Sequence, residues 1–300
     1  MNVLIIGYGS IAKKHISILK RIKKIKLIEL VTSQKVNVFK TYEKIKQTNL
    51  DKYEYIIIAS PTNRHHKELQ YIDKNCKNKI ILVEKPIFMD NQRLNIKNNK
   101  VFVAYCLRFT KILTKIRKLI HSQKVLCANV YAGSYLPNWR EGIDYSKRYS
   151  AIKNQGGGVL LDLSHEIDYL RWIFGDFKNI KSLSRKISDL NIDSDDIMSL
   201  IASSKHNTVI NCTIDYLSKI SKRDILIHTN ECTINADMIK GKIIQVYNDG
   251  RKKEFSFKND IQKSYKRMHK SIIENKFDKI CTFNDSISTL KTIEKIRKNG

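Results

Sequence analysis

Six residues near the N-terminus, Gly7-Tyr8-Gly9-Ser10-Ile11-Ala12, constrain this 300-residue chain more than anything else in it. A continuous apolar run, residues 2–6, precedes them and reads as a buried strand. Ile11, Ile16, Ile18, Leu19 and Ile22 follow at helical spacing, with lysines between them. Strand, glycine turn and helix in that order match the pattern G-x-G-x-x-G/A. Gly7 permits a tight turn, Gly9 lets a pyrophosphate approach the backbone, and Ala12 allows the helix to lie close to the strand. The helix N-terminus favours negative charge. Gly7, Gly9, Ser10 and Ile11 are therefore the first candidate contacts to a dinucleotide.

The pattern repeats downstream. Strands are expected over 27–32, 55–59, 79–83 and 101–105, with a weak helix over 36–46 and a helix from Pro61-Thr62 to about residue 75. Alternating strands and helices imply a parallel, doubly wound sheet of the Rossmann type over residues 1–109. After Phe109 the order changes. A helix over 112–120 leads to a strand over 125–134. A polar, aromatic loop then runs to Gln155, and Gly156-Gly157-Gly158 opens a periodic helix over 159–174. Strands are expected over 180–187, 197–203, 208–216, 225–228, 232–236, 243–247 and 253–257, and helices over about 260–274 and 284–297. Consecutive strands predict an antiparallel sheet. The fold class is thus α/β: a Rossmann domain over 1–109, then an α+β domain over 110–300 with an open, mostly antiparallel sheet.

An acidic residue holding the ribose 2′-hydroxyl belongs at the end of the second strand. Glu29 lies too early, inside the strand; the terminal position falls on Ser33, followed by Gln34 and Lys35. A small neutral residue beside a cation suits a 2′-phosphate, so NADP is the expected cofactor and NAD the alternative.

Three further stretches carry a resemblance: Ala59-Ser60-Pro61-Thr62-Asn63-Arg64-His65, Val83-Glu84-Lys85-Pro86, and the run from Gly156 through Asp162, His165 and Asp168. With the glycine turn, they resemble the glucose-fructose oxidoreductase/inositol dehydrogenase (Gfo/Idh/MocA) family, over nearly the whole chain. The resemblance implies a nicotinamide-dependent oxidoreductase. In it, Lys85 matches the catalytic lysine and His165 the catalytic histidine, while Ser60, Pro61, Thr62, His65, Glu84 and Lys85 line the cofactor site. The chemistry is consistent with those roles: an imidazole can take the hydroxyl proton as hydride leaves, and a lysine can stabilise developing alkoxide charge. Many members space aspartate and histidine four apart. Here the spacing is three, so Asp162 is the expected partner of His165, with Asp168, three residues beyond, the other choice.

This spacing and the loop before it resemble a subgroup associated with surface-polysaccharide and unusual-sugar pathways. The expected substrate is a sugar or sugar derivative. Tyr145 offers an aromatic face, and Arg140 or Arg148 a bidentate grip on phosphate or carboxylate. Tyr105, where the first sheet ends, is a further candidate contact, and Arg108 beside it is either an interdomain anchor or a substrate ligand. The resemblance also implies a homo-oligomer formed through the C-terminal sheet. The alternative is a non-catalytic dinucleotide sensor, which would need neither Lys85 nor His165.

The formal charge of +27 comes from 56 Lys and Arg against 29 Asp and Glu. These cations recur on nearly every expected helix instead of forming one block, so neither a nucleic-acid nor a membrane partner is expected. No apolar run reaches the ~20 residues of a membrane span, and the start lacks a signal-peptide pattern. Six cysteines have no metal-ligand spacing, so no metal is expected and the thiols are expected to be reduced. A cytoplasmic location is expected.

Overall fold

The computed structural model describes residues 1–258 and 261–299. In chain order the elements are β1 (Asn2–Ile6), α1 (Ser10–Leu19), β2 (Leu27–Val31), β3 (Thr41–Tyr42), β4 (Tyr55–Ile58), α2 (Thr62–Asn75), β5 (Ile80–Val83) and β6 (Lys100–Val103). Then come α3 (Lys111–Leu119), β7 (Val125–Gly133), α4 (Val159–Asp162), α5 (Ser164–Phe174), β8 (Phe177–Arg185), β9 (Ile197–Ser204), β10 (Val209–Asp215) and β11 (Lys222–Thr229). The last are β12 (Cys232–Asp237), β13 (Lys242–Tyr247), β14 (Lys252–Ser256), α6 (Ile261–Ile273), β15 (Cys281–Thr282) and α7 (Phe283–Asn299). The helix expected from residue 260 begins at Ile261; Asp260 lies outside the described residues. Among the described residues, no helix is long and apolar enough to cross a membrane.

Two compact units result. One contains Met1–Phe109 and Ile261–Leu290, the other Thr110–Asp260 and Lys291–Gly300. Pattern alone leaves 261–290 in the second domain. In the structure Tyr265, Met268, Ile272 and Ile273 of α6 join the same core as Val3, Ile5, Leu30 and Ile57.

The first unit is a seven-stranded sheet in the order β15-β6-β5-β4-β1-β2-β3, parallel except for β15. Its central strands are buried apolar runs, as a sheet covered on both faces requires. The expected helix over 36–46 is not there. Thr41 and Tyr42 instead pair in parallel with Leu30 and Val31, and a single 3-10 turn follows at Ile45–Gln47. Val36 and Phe39 pack on the core from irregular backbone, and β-branched and aromatic residues settle more readily as an edge strand than as a helix.

The second unit is an eight-stranded sheet in the order β14-β13-β12-β11-β7-β10-β9-β8. All pairs are antiparallel except β7 with β10. Buried and less buried residues alternate along its strands, so one face packs inward. The single helix expected over 159–174 is divided: Leu163, at φ −94° and ψ 24°, ends α4 and precedes α5.

Candidate active site

The parallel register sets a level edge in the first unit. Val31, Ile6, Ile58, Val83 and Val103 are register partners across β2, β1, β4, β5 and β6. Each chain therefore leaves the sheet at the same height. Gly7 directly follows that row, and Ser33, Ser60, Lys85 and Tyr105 each lie two residues beyond it. Strand β1 has β2 on one side and β4 on the other, which makes its carboxyl end the topological switch point where open α/β sheets bind ligands.

Gly7 is fixed by sterics. Its φ is +101°, its N–H donates to Val31 O (2.9 Å), and a Cβ there would lie 2.5 Å from Ala59 O. The space at Gly9 is the opposite: a Cβ would meet nothing within 4 Å. Gly9 caps α1, whose first turn holds no acidic residue, and Ala12 is fully buried beneath it. Ser10 is exposed at the first position of α1, with Ile11 half-buried. This cradle fits a dinucleotide pyrophosphate, since the donors face open space and no side-chain carboxylate competes for them.

After β2, Ser33, Gln34 and Lys35 are all exposed. Glu29 is engaged elsewhere: its buried carboxylate accepts from Lys52 Nζ (2.7 Å), Tyr53 Oη and Tyr42 Oη (3.1 Å). Burial opposes its charge, but those hydrogen bonds outweigh it and hold the carboxyl below its ordinary range.

Ser60 and Pro61 lead into α2, with Thr62 at its first position. The Ser60 hydroxyl donates to Glu68, which also pairs with Arg64 (2.9 Å). His65 is 1% exposed and ties two loops together. Its Nε2 lies 2.9 Å from Ser60 O, and its Nδ1 lies 3.2 Å from the carbonyls of Pro86 and Ile87. Burial lowers the His65 pKa despite those carbonyls, so the neutral ring donates to one side at a time. The Lys85–Pro86 bond is cis. Glu84 is buried, and its Oε2 accepts the N–H of Lys85 (3.2 Å). Its Oε1 lies 2.8 Å from His15 Nε2, a residue with no place in the expected site. Tyr105 is buried, and Arg108, also buried, reaches Asp285 within the same unit (3.4 Å).

In the second unit the glycine triplet shapes the approach to α4. A Cβ on Gly157 would lie 2.2 Å from Tyr149 O, and one on Gly158, at φ +110°, would overlap the Asp195 carboxylate. Asp195 in turn accepts the Leu160 N–H (2.9 Å). This tight stacking seats the loop that carries Tyr149 against the helix that carries Asp162. The buried Asp162 carboxylate accepts from Tyr216 Oη (2.8 Å), and the Tyr149 phenol lies near it. Burial, then the charge of Asp162, pushes the Tyr216 phenol pKa well up. Trp139 packs edge-on against Tyr216 with ring centroids 5.2 Å apart.

His165 is half-buried in the first turn of α5, and Asp168 is buried further along it. Because the helix is broken at Leu163, Asp162 and His165 do not share one continuous helical face; the i, i+3 geometry expected from spacing is replaced by two short helices. Arg140 and Arg148 are exposed on the loop. Tyr145 is committed in part to structure, its hydroxyl accepting the Asn191 N–H (3.1 Å). The sequence reading missed His15, Tyr149 and Tyr216. Their partners lie 69, 13 and 54 residues away, beyond the reach of any local spacing rule.

Comparison with known proteins agrees with this geometry. Residues 1–96 match the family model described as the oxidoreductase family, NAD-binding Rossmann fold, and residues 114–235 match the GFO/IDH/MocA C-terminal domain. No curated protein sequence matches the chain. Among solved structures, an oxidoreductase from Thermotoga maritima is 20% identical, covering all of this chain and 97% of its own, with a TM-score of 0.80. The super-repressor mutant of Gal80p from Saccharomyces cerevisiae is 13% identical over all of this chain and 95% of its own, with a TM-score of 0.84. The WlbA dehydrogenase from Bordetella pertussis, in complex with NADH and UDP-GlcNAcA, is 14% identical over all of this chain and 96% of its own, with a TM-score of 0.77. At such identities these likenesses show the fold alone. The two family models, one for each sheet, show more: the chain belongs to the GFO/IDH/MocA family of oxidoreductases with an NAD-binding Rossmann fold.

Proposed function

We propose that this protein is a nicotinamide-dependent dehydrogenase or reductase acting on a hydroxyl or carbonyl carbon of a sugar derivative. One observation carries the reading: the register of the first sheet brings the clear Gly9 cradle, the Ser60–Thr62 turn and the Glu84–Lys85 pair to one level edge. Gly7, Gly9, Ser10 and Ile11 hold the pyrophosphate, and Ser60, Pro61, Thr62 and Glu84 line the rest of the cofactor site. His65 supports that site from beneath, since it is buried and bonded to the loops on both sides. Ser33 and Lys35 face the 2′ position. Glu29 is locked to Lys52 and two tyrosines, so it is not free to hold a ribose 2′-hydroxyl, which favours NADP.

The bound nicotinamide supplies the hydride acceptor or donor. Lys85 donates a hydrogen bond to the reacting oxygen and stabilises alkoxide charge. His165 takes the hydroxyl proton on oxidation and returns it on reduction. Asp162, held by Tyr216, fixes the loop that carries the substrate contacts. The exposed Arg140 and Arg148 suit an anionic group, and the UDP-GlcNAcA bound by WlbA is a precedent for a nucleotide-linked, carboxylated sugar. We further propose a homo-oligomer through the open face of the second sheet, in the cytoplasm.

The test is turnover. The protein is incubated with NADP or NAD and a panel of nucleotide-linked sugars and sugar acids, and absorbance of the reduced nicotinamide is followed. Turnover that disappears in Lys85→Met and His165→Asn, with cofactor binding intact, supports the assignment. Cofactor binding without turnover on any member of the panel, unchanged by either substitution, favours a non-catalytic sensor.

A further inference from the structure

A buried chain of four side chains runs through the first unit behind the Glu84–Lys85 pair. His15 comes from α1, Glu84 from the end of β5, His269 from α6 and Tyr55 from the start of β4. His15, His269 and Tyr55 are fully buried and Glu84 nearly so. His15 Nε2 lies 2.8 Å from Glu84 Oε1, His15 Nδ1 lies 2.8 Å from His269 Nε2, and His269 Nδ1 lies 2.9 Å from Tyr55 Oη. Tyr265 closes the side of His15 with an edge-on ring contact, centroids 5.4 Å apart.

The proton positions follow from counting donors. A neutral imidazole carries one N–H, and a carboxylate only accepts. Among the described residues the Tyr55 hydroxyl has no partner except His269, so it donates there. His269 Nδ1 then accepts, and its Nε2–H donates to His15 Nδ1. That leaves His15 Nε2–H to donate to Glu84 Oε1. Three bonds, three protons and one direction result. Reversing the chain would need a proton on Glu84 or a second one on His15, and would leave the fully buried Tyr55 O–H without an acceptor among the described residues, which is costly. Burial, then the neighbouring His15, drives the His269 pKa well down, in keeping with a neutral ring.

We propose that Tyr55, His269 and His15 form a one-way donor relay that pins the Glu84 carboxylate, and through it the Lys85 backbone, making His15 and His269 positioning residues. Glu84 is the joint: one oxygen takes the end of the relay and the other takes the Lys85 N–H (3.2 Å). Helix α6, which begins 176 residues after Lys85, thereby sets the height at which Lys85 leaves the sheet. The proposal rests on the catalytic assignment of Lys85 above. The relay's geometry and its catalytic consequence can be tested separately.

Ring-15N histidine NMR of the whole protein reads the geometry directly, with His15→Gln and His269→Gln used to assign two of the eight histidines. Both rings are expected with Nε2 protonated and Nδ1 bare; a protonated Nδ1 on either overturns the relay. Kinetics reads the consequence. His15→Leu keeps the bulk but loses the donor, and its kcat is expected to fall on the order of 10²-fold, the cost of a ~1 Å misplacement, with KM for the cofactor little changed. His15→Gln, whose amide nitrogen can reach the Glu84 oxygen, is expected to recover most of that loss. A His15→Leu enzyme with wild-type kcat, or equal losses in the Leu and Gln proteins, overturns the positioning role. If Lys85→Met itself keeps wild-type kcat, the catalytic assignment fails and the positioning role fails with it, while the NMR result still decides whether the hydrogen-bond chain exists.

Discussion

Gly7 shows how much one residue decides. Its neighbours leave no volume for a methyl group, and its φ of +101° is unfavourable for any L side chain. Gly7→Ala is expected to cost about 2–4 kcal/mol, from backbone strain and overpacking together, and chemical denaturation measures it. Gly9→Ala has clear space around the new methyl, so it is expected to leave stability nearly unchanged and to weaken cofactor binding. The buried histidines give a pH prediction at the same scale. His65 and His269 have lowered pKa values in the folded protein, so the unfolded chain takes protons first as pH falls. Their contribution to stability is therefore intact above the ordinary histidine pKa of about 6.5 and falls below it, by about 1.4 kcal/mol per pH unit per ring. Denaturant midpoints at pH 7.5 and 5.5 test this; a midpoint that rises on acidification would contradict it. The tight turn at Gly7 and the open space at Gly9 were legible in sequence because a turn motif is local. His15 was not: its partners, Glu84 and His269, come 69 and 254 residues later in the chain.

At the scale of elements, the central strands were legible because continuous Ile, Leu and Val runs leave few other folds available. Strand β3 was not, since two paired residues are too short for any periodicity and the surrounding lysines mimic a helical face. The break between α4 and α5 escaped for a related reason. Apolar spacing runs unbroken through Val159, Leu163 and Ile167, while the interruption comes from backbone angles at Leu163. The glycine triplet announced that something packs closely there, and the structure supplies the object: the carbonyls of Tyr149, Ser150 and Ile152, and the Asp195 carboxylate. Gly157→Ala is therefore expected to push the 149–152 turn away from α4, costing about 1–3 kcal/mol and weakening substrate affinity. Cofactor affinity, which belongs to the other unit, is expected to hold. Parallel titrations of cofactor and substrate separate the two effects.

At the scale of the whole molecule, the eight-stranded sheet has an outer face whose register lines up Val246, Thr233, His228, Cys127 and Val209 in one row. Ile244, Asn235, Leu226, Asn129, Asn211 and Ile201 form the next. Ile201 is 58% exposed and Val209 44%, in a sheet broad enough to offer a large self-complementary surface. If the proposed homo-oligomer forms through this face, Ile201→Lys with Val209→Lys is expected to shift the protein to monomer in light scattering while leaving the fold intact; a wild-type protein that is itself monomeric, or an unchanged mass in the variant, would contradict it. Dinucleotide binding at the Gly7–Ala12 turn underlies the proposed function of the whole chain. The measurement that tests it most directly is the thermal midpoint of the protein with NADPH, with NADH and with neither. Saturation near 100 times the dissociation constant is expected to stabilise the protein by about 2.7 kcal/mol, with NADPH the stronger ligand. No shift with either nucleotide would contradict the account.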